Sequence, residues 1–218
     1  MYKPADYLEL FEYRLHVFAA YRERNEALLG GEEPVGVWGR FRKRRDRLFA
    51  EHPQSALDRD QRANFRELSY FPYNPAACVE ATVDPNVEPR RLSVQTSGEE
   101  SMPMCRVAAV RFVLDGQDMS LSVYWIDVYG GGLFLPFRDG TAPSETYGGG
   151  RYLFDTIKGS DSLSVPSEGG MRRMLLDFNY AYNPSCAYNH HWVCPLAPPE
   201  NRLKVNIAAG EKTFLGAV

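Results

Sequence analysis

From Pro4 to about Leu29, the apolar residues Leu8, Phe11, Leu15 and Phe18 recur at alternating spacings of three and four, the period of one stripe along an α-helix. Gly30 and Gly31 supply its C-terminal stop. Glu32 and Glu33 followed by Pro34 announce a second helix, because a proline in the first turn forfeits no hydrogen bond. Trp38, Phe41, Arg45 and Leu48 then repeat the same spacing. The pattern predicts an amphipathic hairpin that must pack on something, since neither stripe is stable in water. Ser55 with Asp58 three residues on resembles a capping box opening a short third helix through about Glu67.

Past Leu68 the period falls to two. The stretch YFPYNP (70–75) is a punctuated linker, and strands are expected near 78–83, 91–96, 104–114, 119–128, 133–137, 151–158, 171–179 and 203–208. Asp115-Gly116 between two apolar runs is a strong hairpin signal, and Gly130 to Gly132 and Asp139-Gly140 are similar. Tight turns between consecutive strands imply antiparallel pairing, because parallel neighbours need long crossovers. The expected fold class is α+β: an N-terminal helical hairpin packed on an antiparallel barrel-like or sandwich sheet. Residues 1–67 form the helical region and 68–218 the β domain, in one compact unit with a long loop at 180–202.

That loop changes the picture from fold to function. Strand alternation over 171–179 sets Met174, Leu176 and Phe178 on one face and Arg173, Leu175, Asp177 and Asn179 on the other. A carboxylate there needs partners if buried, and Arg151 or Lys158 could supply the charge. After Asn179, about twenty residues show neither period, a length that is usually functional or self-packed. Tyr180, Tyr182, Tyr188, Trp192 and Val193 favour burial, while Asn183-Pro184 and Pro195 to Pro199 stiffen the backbone. A rigid, aromatic, polar-decorated loop is expected.

Composition narrows the partners. With 218 residues and 44% hydrophobic content the chain can bury a sizeable core, and a net charge of -3 gives a nucleic-acid partner no overall electrostatic support. The basic run Arg40, Arg42, Lys43, Arg44, Arg45 and Arg47 spans more than two helical turns, so several of its charges populate a solvated side facing Glu9, Glu12, Glu23 and Glu26. No window approaches the roughly 18 apolar residues of a membrane span, and the N-terminus lacks the apolar core of a secretory signal. A cytoplasmic setting is expected, with Cys78, Cys105, Cys186 and Cys194 defaulting to thiols.

Three constellations carry candidate chemistry. Cys186, His190 and Cys194 read C-x3-H-x3-C, which lacks the close pairs of common zinc sites, so no metal is assigned; reduced thiols, a disulfide and a reactive thiolate all remain open for the Cys186/Cys194 pair. In Tyr147-Gly148-Gly149-Gly150-Arg151, glycines admit close approach and the arginine could grip an anion, although no phosphate-loop lysine follows. Glu200 and Asn201 could complete a polar cluster begun by Asp177 and Asn179. Gly210 and Glu211 read as a turn followed by a charged end.

The segments TYGGGRYL (146–153), LDFNYAYNPSCAY (176–188), CPLAPPENRL (194–203) and AGEK (209–212), with HPQS (52–55) and YFPYNP, resemble the family catalogued as domain of unknown function 1684. Four ordered motifs cover nearly the whole chain. The resemblance implies that the glycine-rich and C-terminal motifs belong to one site; it transfers no catalytic residue, and His190-His191 stands outside its pattern. The reading is a pocket between the glycine-rich turn and the 177–201 loop that binds or converts a small polar or anionic metabolite. Its candidate residues are Tyr147, Arg151, Asp177, Asn179, Tyr182, Asn183, Tyr188, Glu200 and Asn201, walled by Trp192, and the sequence leaves any cofactor open. The alternative is a structural or interaction module in which the loop is a self-satisfied latch.

Overall fold

The computed structural model describes residues 3–163 and 172–216. Three helices precede an antiparallel sheet curled into a half-barrel. Helices α1 (Pro4–Leu29) and α2 (Pro34–Glu51) form the hairpin, and α3 spans Arg59–Asn64. Helix α2 starts where its proline predicts, with the Glu33 carboxylate accepting from the amides of Val35 and Gly36 at 3.1 and 2.9 Å. The cap of α3 is Asp58 rather than Ser55. Asp58 accepts from the Asp60 and Gln61 amides while the Gln61 side chain takes the Asp58 amide, and Ser55 Oγ is used by the Leu57 amide instead.

Helix α1 departs from expectation in which side it buries. The stripe Leu8, Phe11, Leu15 and Phe18 faces outward, between 50% and 73% exposed. The opposite side, Tyr13, Val17, Ala20, Tyr21 and Arg24, turns inward at the same three-four spacing. Aromatic contacts select that side: the rings of Tyr21 and Phe41 meet edge to face at 5.0 Å, and the Arg24 guanidinium sits 4.8 Å from both Tyr21 and Tyr180.

The strands are β1 (Cys78–Asp84), β2 (Arg90–Gln95), β3 (Ser101–Leu114), β4 (Gln117–Ile126), β5 (Gly132–Phe137), β6 (Arg151–Asp155) and β7 (Arg173–Asp177). Asp115 and Gly116 carry φ of 50° and 71° and close the β3–β4 hairpin as their dipeptide predicts. The order is β6-β5-β4-β3-β1-β7, with β2 sharing β3's edge beside β1: β2 pairs with Ser101 to Arg106, β1 with Ala109 to Arg111. β6 and β7 end this order on opposite sides, so the barrel is half complete.

Four expected elements differ. The strand expected at 151–158 stops at Asp155, where the Asp155 carboxylate caps a 3-10 turn over Thr156–Lys158. Met171 lies outside the described residues, and β7 stops at Asp177, where Phe178–Tyr180 tightens into a 3-10 turn. Asp139-Gly140 makes no tight hairpin; Asp139 is buried and Gly140 donates to Val205 O at 2.7 Å. The segment 203–208 is not a strand. Its backbone pairs with Arg138–Gly140 only briefly, Leu203 N donating to Arg138 O at 2.8 Å and Val205 O accepting from Gly140 N, and beyond Val205 side chains hold it, with Ile207 N donating to Asp139 Oδ2 at 2.7 Å and Ile207 O accepting from Arg151 at 3.2 Å. Ile207 and Ala209 thereby join Val110, Phe112, Leu121, Leu135, Phe137 and Phe178 in the main core, and the C-terminal segment seals the open sheet.

The helical hairpin reaches this sheet through the long loop. Trp38, Phe41 and Tyr21 cluster with Tyr180, and Phe49, Leu57 and Leu68 cluster with Tyr188.

Candidate functional site

Arg45 occupies an apolar-stripe position of α2, so the helix carries its guanidinium inward. There Nη2 donates to Glu211 Oε2 at 3.0 Å and to Tyr188 OH at 3.2 Å, while Tyr188 OH donates to the other Glu211 oxygen and the Asn183 amide donates to Oε2 at 3.2 Å. Glu211 is 1% exposed, so the charged end expected after the last segment is a buried carboxylate. Gly210 makes that possible: at φ 78° an added Cβ would meet Phe178 O at 2.6 Å, which lets the chain turn Glu211 into the core.

Burial opposes the Arg45 charge, but Tyr70, Glu211 and Tyr188 overcome it and hold its pKa well above the ordinary arginine value. Burial raises Glu211, and Arg45, Tyr188 and the Asn183 amide oppose that shift. Burial also raises Tyr13, Tyr21, Tyr70, Tyr182 and Tyr188, which keeps these phenols protonated as donors.

Around this ion pair several buried polar atoms have no hydrogen-bond partner: Tyr21 OH, Tyr70 OH, Arg45 Nε and Asn183 Oδ1. Tyr21, Arg45 and Asn183 line a chamber of about 50 Å³ together with Ser160, Tyr182 and Tyr188. Val17, Tyr21 and Arg45 also line a cleft of about 720 Å³ between α1 and α2, so the chamber lies at the base of an open groove. Arg40, Lys43, Arg44 and Arg47 face that groove against Glu12, Glu23 and Glu51, and Arg44 pairs with Glu23.

The sequence-nominated residues divide. Tyr182, Asn183 and Tyr188 meet at the chamber, where Tyr182 OH shares a hydrogen bond with Ser160 Oγ at 2.6 Å and Asn183 Nδ2 donates to Lys212 O at 2.8 Å. Arg151 is elsewhere and fully engaged at its terminal nitrogens. It binds Asp139 at 3.1 Å and the carbonyls of Ile207, Ala209 and Glu211 at 3.2, 2.5 and 3.1 Å, so it clamps the C-terminal segment and does not pair with Asp177. Asp177 instead accepts from the Asn179 amide and side chain at 3.0 and 2.8 Å. Burial raises its pKa against those bonds.

Asn179 exchanges hydrogen bonds with the Asn74 backbone, both at 2.8 Å, and ties the YFPYNP linker to the loop. Asn201 reaches Ser122 N and O at 2.8 and 2.9 Å and Pro136 O at 2.7 Å, bridging β4 and β5. Glu200 accepts from Tyr124 OH at 3.0 Å on a separate surface with Arg90 and Arg106. Tyr147 OH lies 3.5 Å from Cys186 Sγ, and Trp192 Nε1 donates to Ala56 O at 3.0 Å. The glycine-rich turn and the loop do meet, but in direct contact: an added Cβ at Gly150 would lie 2.8 Å from Ala197 Cβ and 2.5 Å from Phe137 O. All four cysteines are free, and His190 and His191 are exposed.

Sequence reasoning missed Arg45, Glu211, Tyr21 and Tyr70. A usable signal was Arg45 itself, a cation in line with Trp38, Phe41 and Leu48.

The family model described as a protein of unknown function, DUF1684, matches residues 63–212. The chain belongs to the DUF1684 family. The matched span contains Tyr188 and Glu211, whereas α1, α2 and Arg45 precede it. Among solved structures, an uncharacterized protein of Haloarcula marismortui determined by solution NMR is 36% identical, with a TM-score of 0.60 over 81% of this chain and 92% of its own. No curated protein matches the chain. Among the described residues, no helix is long and apolar enough to cross a membrane.

Proposed function

We propose that this DUF1684 protein binds a small anionic metabolite at the base of the α1–α2 cleft, with Arg45, Tyr21 and Tyr70 as donors and Asn183 as an acceptor for a hydroxyl or amine. The reading keeps the ligand class expected from sequence and moves the pocket from the glycine-rich turn to the helical side of the loop. The observation that carries it is the set of unpartnered buried atoms of Tyr21, Arg45 and Asn183, two of them donors, on the wall of a chamber that opens into a groove with a surplus of arginines and lysines, with the unpartnered Tyr70 hydroxyl close to Arg45. A buried donor left unpaired costs about 1–3 kcal/mol, so such a cluster is stable only if something accepts from it. A carboxylate or phosphate oxygen fits the chamber's size and polarity, and the wider cleft would hold the rest of the molecule.

A thermal-shift panel of small mono- and dicarboxylates and phosphorylated metabolites tests this. A ligand at 100 times its Kd stabilises by about 2.7 kcal/mol, so binders raise the unfolding midpoint. Tyr21→Phe and Tyr70→Phe should fold as well as the wild type and lose that shift. A panel without any shift, or a shift that survives the double variant, sinks the proposal.

A second reading has its own support: Asn179, Asn201 and Arg151 are hydrogen-bonded within the protein, as a self-satisfied latch requires. Under it the chamber holds water alone, and Tyr21→Phe stabilises without altering any ligand response.

A further inference from the structure

Cys186 lies in the short turn Ser185–Ala187, and Cys194 closes the loop that this turn begins; they are 6% and 2% exposed. Ser97, from the turn between β2 and β3, holds both. Its amide donates to Cys194 O at 2.8 Å, its Oγ accepts from the Cys194 amide at 3.1 Å, and its hydroxyl also reaches the Cys186 thiol. From the other side Tyr147 OH stands 3.5 Å from Cys186 Sγ. The two thiols therefore stand on opposite arms of the loop within hydrogen-bonding reach of each other.

The neighbours divide the proton unequally. A hydrogen bond from the Cys194 thiol is the largest influence on Cys186; burial opposes it, Ser97 and Tyr147 add to it, and the Cys186 thiol settles at about 6. The same hydrogen bond, followed by burial, raises Cys194. Cys78 has the reverse setting, pushed up to about 12 by burial and then by Asp177.

We propose that Cys186 and Cys194 are a reversible dithiol–disulfide pair, with Cys186 as the attacking thiolate, Cys194 as the resolving thiol and a small hydroperoxide as the oxidant. The Cys186 sulfur attacks the peroxide O–O bond and takes one oxygen as a sulfenic acid, while the other oxygen leaves as hydroxide or alkoxide and is protonated. The Cys194 sulfur then attacks the sulfenic sulfur, the S–S bond forms, and water departs with the Cys194 proton. Two electrons pass from the pair to the peroxide, and a dithiol reductant returns them. The low exposure of Cys186 restricts the oxidant to a small one such as hydrogen peroxide.

Peptide mapping by mass spectrometry of the folded full-length protein tests the proposal, after hydrogen peroxide treatment and maleimide quenching. The expected product is a Cys186–Cys194 cross-link that has lost two hydrogens, restored by dithiothreitol, with Cys78 and Cys105 still alkylated. In Cys194→Ser a dimedone-type probe should label Cys186, and in Cys186→Ser it should leave Cys194 unlabelled. Iodoacetamide modification of Cys186 should climb through about pH 6. Four intact thiols after peroxide, oxidation that begins at Cys78 or Cys105, or an alkylation rate that rises only near roughly pH 8.5 each overturns it. The mapping uses the wild type, so it stands even if a serine variant fails to fold.

Discussion

Arg45 Nη2 and Glu211 Oε2 lie 3.0 Å apart across 166 positions of sequence, and this pair fastens the helical hairpin to the C-terminal end of the chain. Both side chains are nearly sealed from water, at 11% and 1% exposure. Breaking a buried pair from one side strands the remaining charge, which costs about 3–5 kcal/mol. Arg45→Met should therefore lower the unfolding free energy by that amount in urea titrations. Adding Glu211→Gln removes the stranded charge and keeps one acceptor oxygen, enough for Tyr188 or Asn183 but not for both, and should recover part of the loss. Simple additivity of the two substitutions would show that the pair is not coupled.

Asn201 provides a second fastening, within the sheet. It is 0% exposed and its amide group serves Ser122 N, Ser122 O and Pro136 O together. Asn201→Ala leaves buried backbone groups unpaired at about 1–3 kcal/mol each, so a loss of about 3 kcal/mol is expected. Asn201→Asp should be at least as harmful, because its second oxygen would face the two carbonyls. An aspartate variant as stable as the wild type in thermal unfolding would contradict the assigned geometry.

How far the sequence could be read differs between elements for physical reasons. Hydrophobic period located both long helices and the seven strands, since those patterns are local. It misjudged α1 because both sides of that helix carry apolar residues, and only the aromatic partners Phe41 and Tyr180, supplied from elsewhere, decide which side is buried. It misread 203–208 as a strand because the backbone pairing with Arg138–Gly140 stops at Val205 and the side chains of Asp139 and Arg151 hold Ile207 instead, and their distance in sequence hides this. Within the loop, Tyr182, Asn183 and Tyr188 were legible as polar residues on a stiff backbone. Glu211 was not, because its burial depends on the left-handed Gly210 and on a helix far away in sequence.

Arg151 should behave as a clamp. Arg151→Lys keeps the charge and loses the fork that serves Asp139 and three carbonyls at once, so it should destabilise by about 2–4 kcal/mol. Hydrogen exchange gives the specific readout: amides at Ile207 to Glu211 should lose protection while the β3–β4 ladder keeps it. Unchanged protection at Ile207, whose amide depends on the Asp139 carboxylate that Arg151 holds, would contradict the clamp.

Asp155 tests the pH behaviour of a buried carboxyl. Burial raises its pKa above the ordinary value of about 3.9, so the folded chain retains a proton that the unfolded chain gives up. The stabilising contribution is complete below the unfolded value and is lost as pH rises through the folded one. Asp155→Asn keeps an oxygen for the amides of Ile157 and Lys158, now at 3.2 and 3.4 Å, and removes the titration. The stability of the variant relative to the wild type should therefore rise as pH climbs from about 4 in urea titrations at several pH values. A relative stability that falls instead would reverse the sign assigned to Asp155.

The outward stripe of α1 yields the last test. Leu8, Phe11 and Leu15 are half or more exposed, so they contribute little apolar burial, and substitutions at such positions usually change stability by no more than about 0.5 kcal/mol. Leu8→Gln, Phe11→Gln and Leu15→Gln keep good helix propensity and should leave the unfolding free energy nearly unchanged. The inner-side change Tyr21→Ala should cost about 3–5 kcal/mol, because it removes a ring that is 2% exposed and packed on Phe41 and Arg24. The contrast separates the two sides of one helix by measurement. If the outer variants instead lost several kcal/mol, and the loss grew with protein concentration, the stripe would be covered by a second copy of the chain in solution and its exposure in the single chain would not describe the working protein.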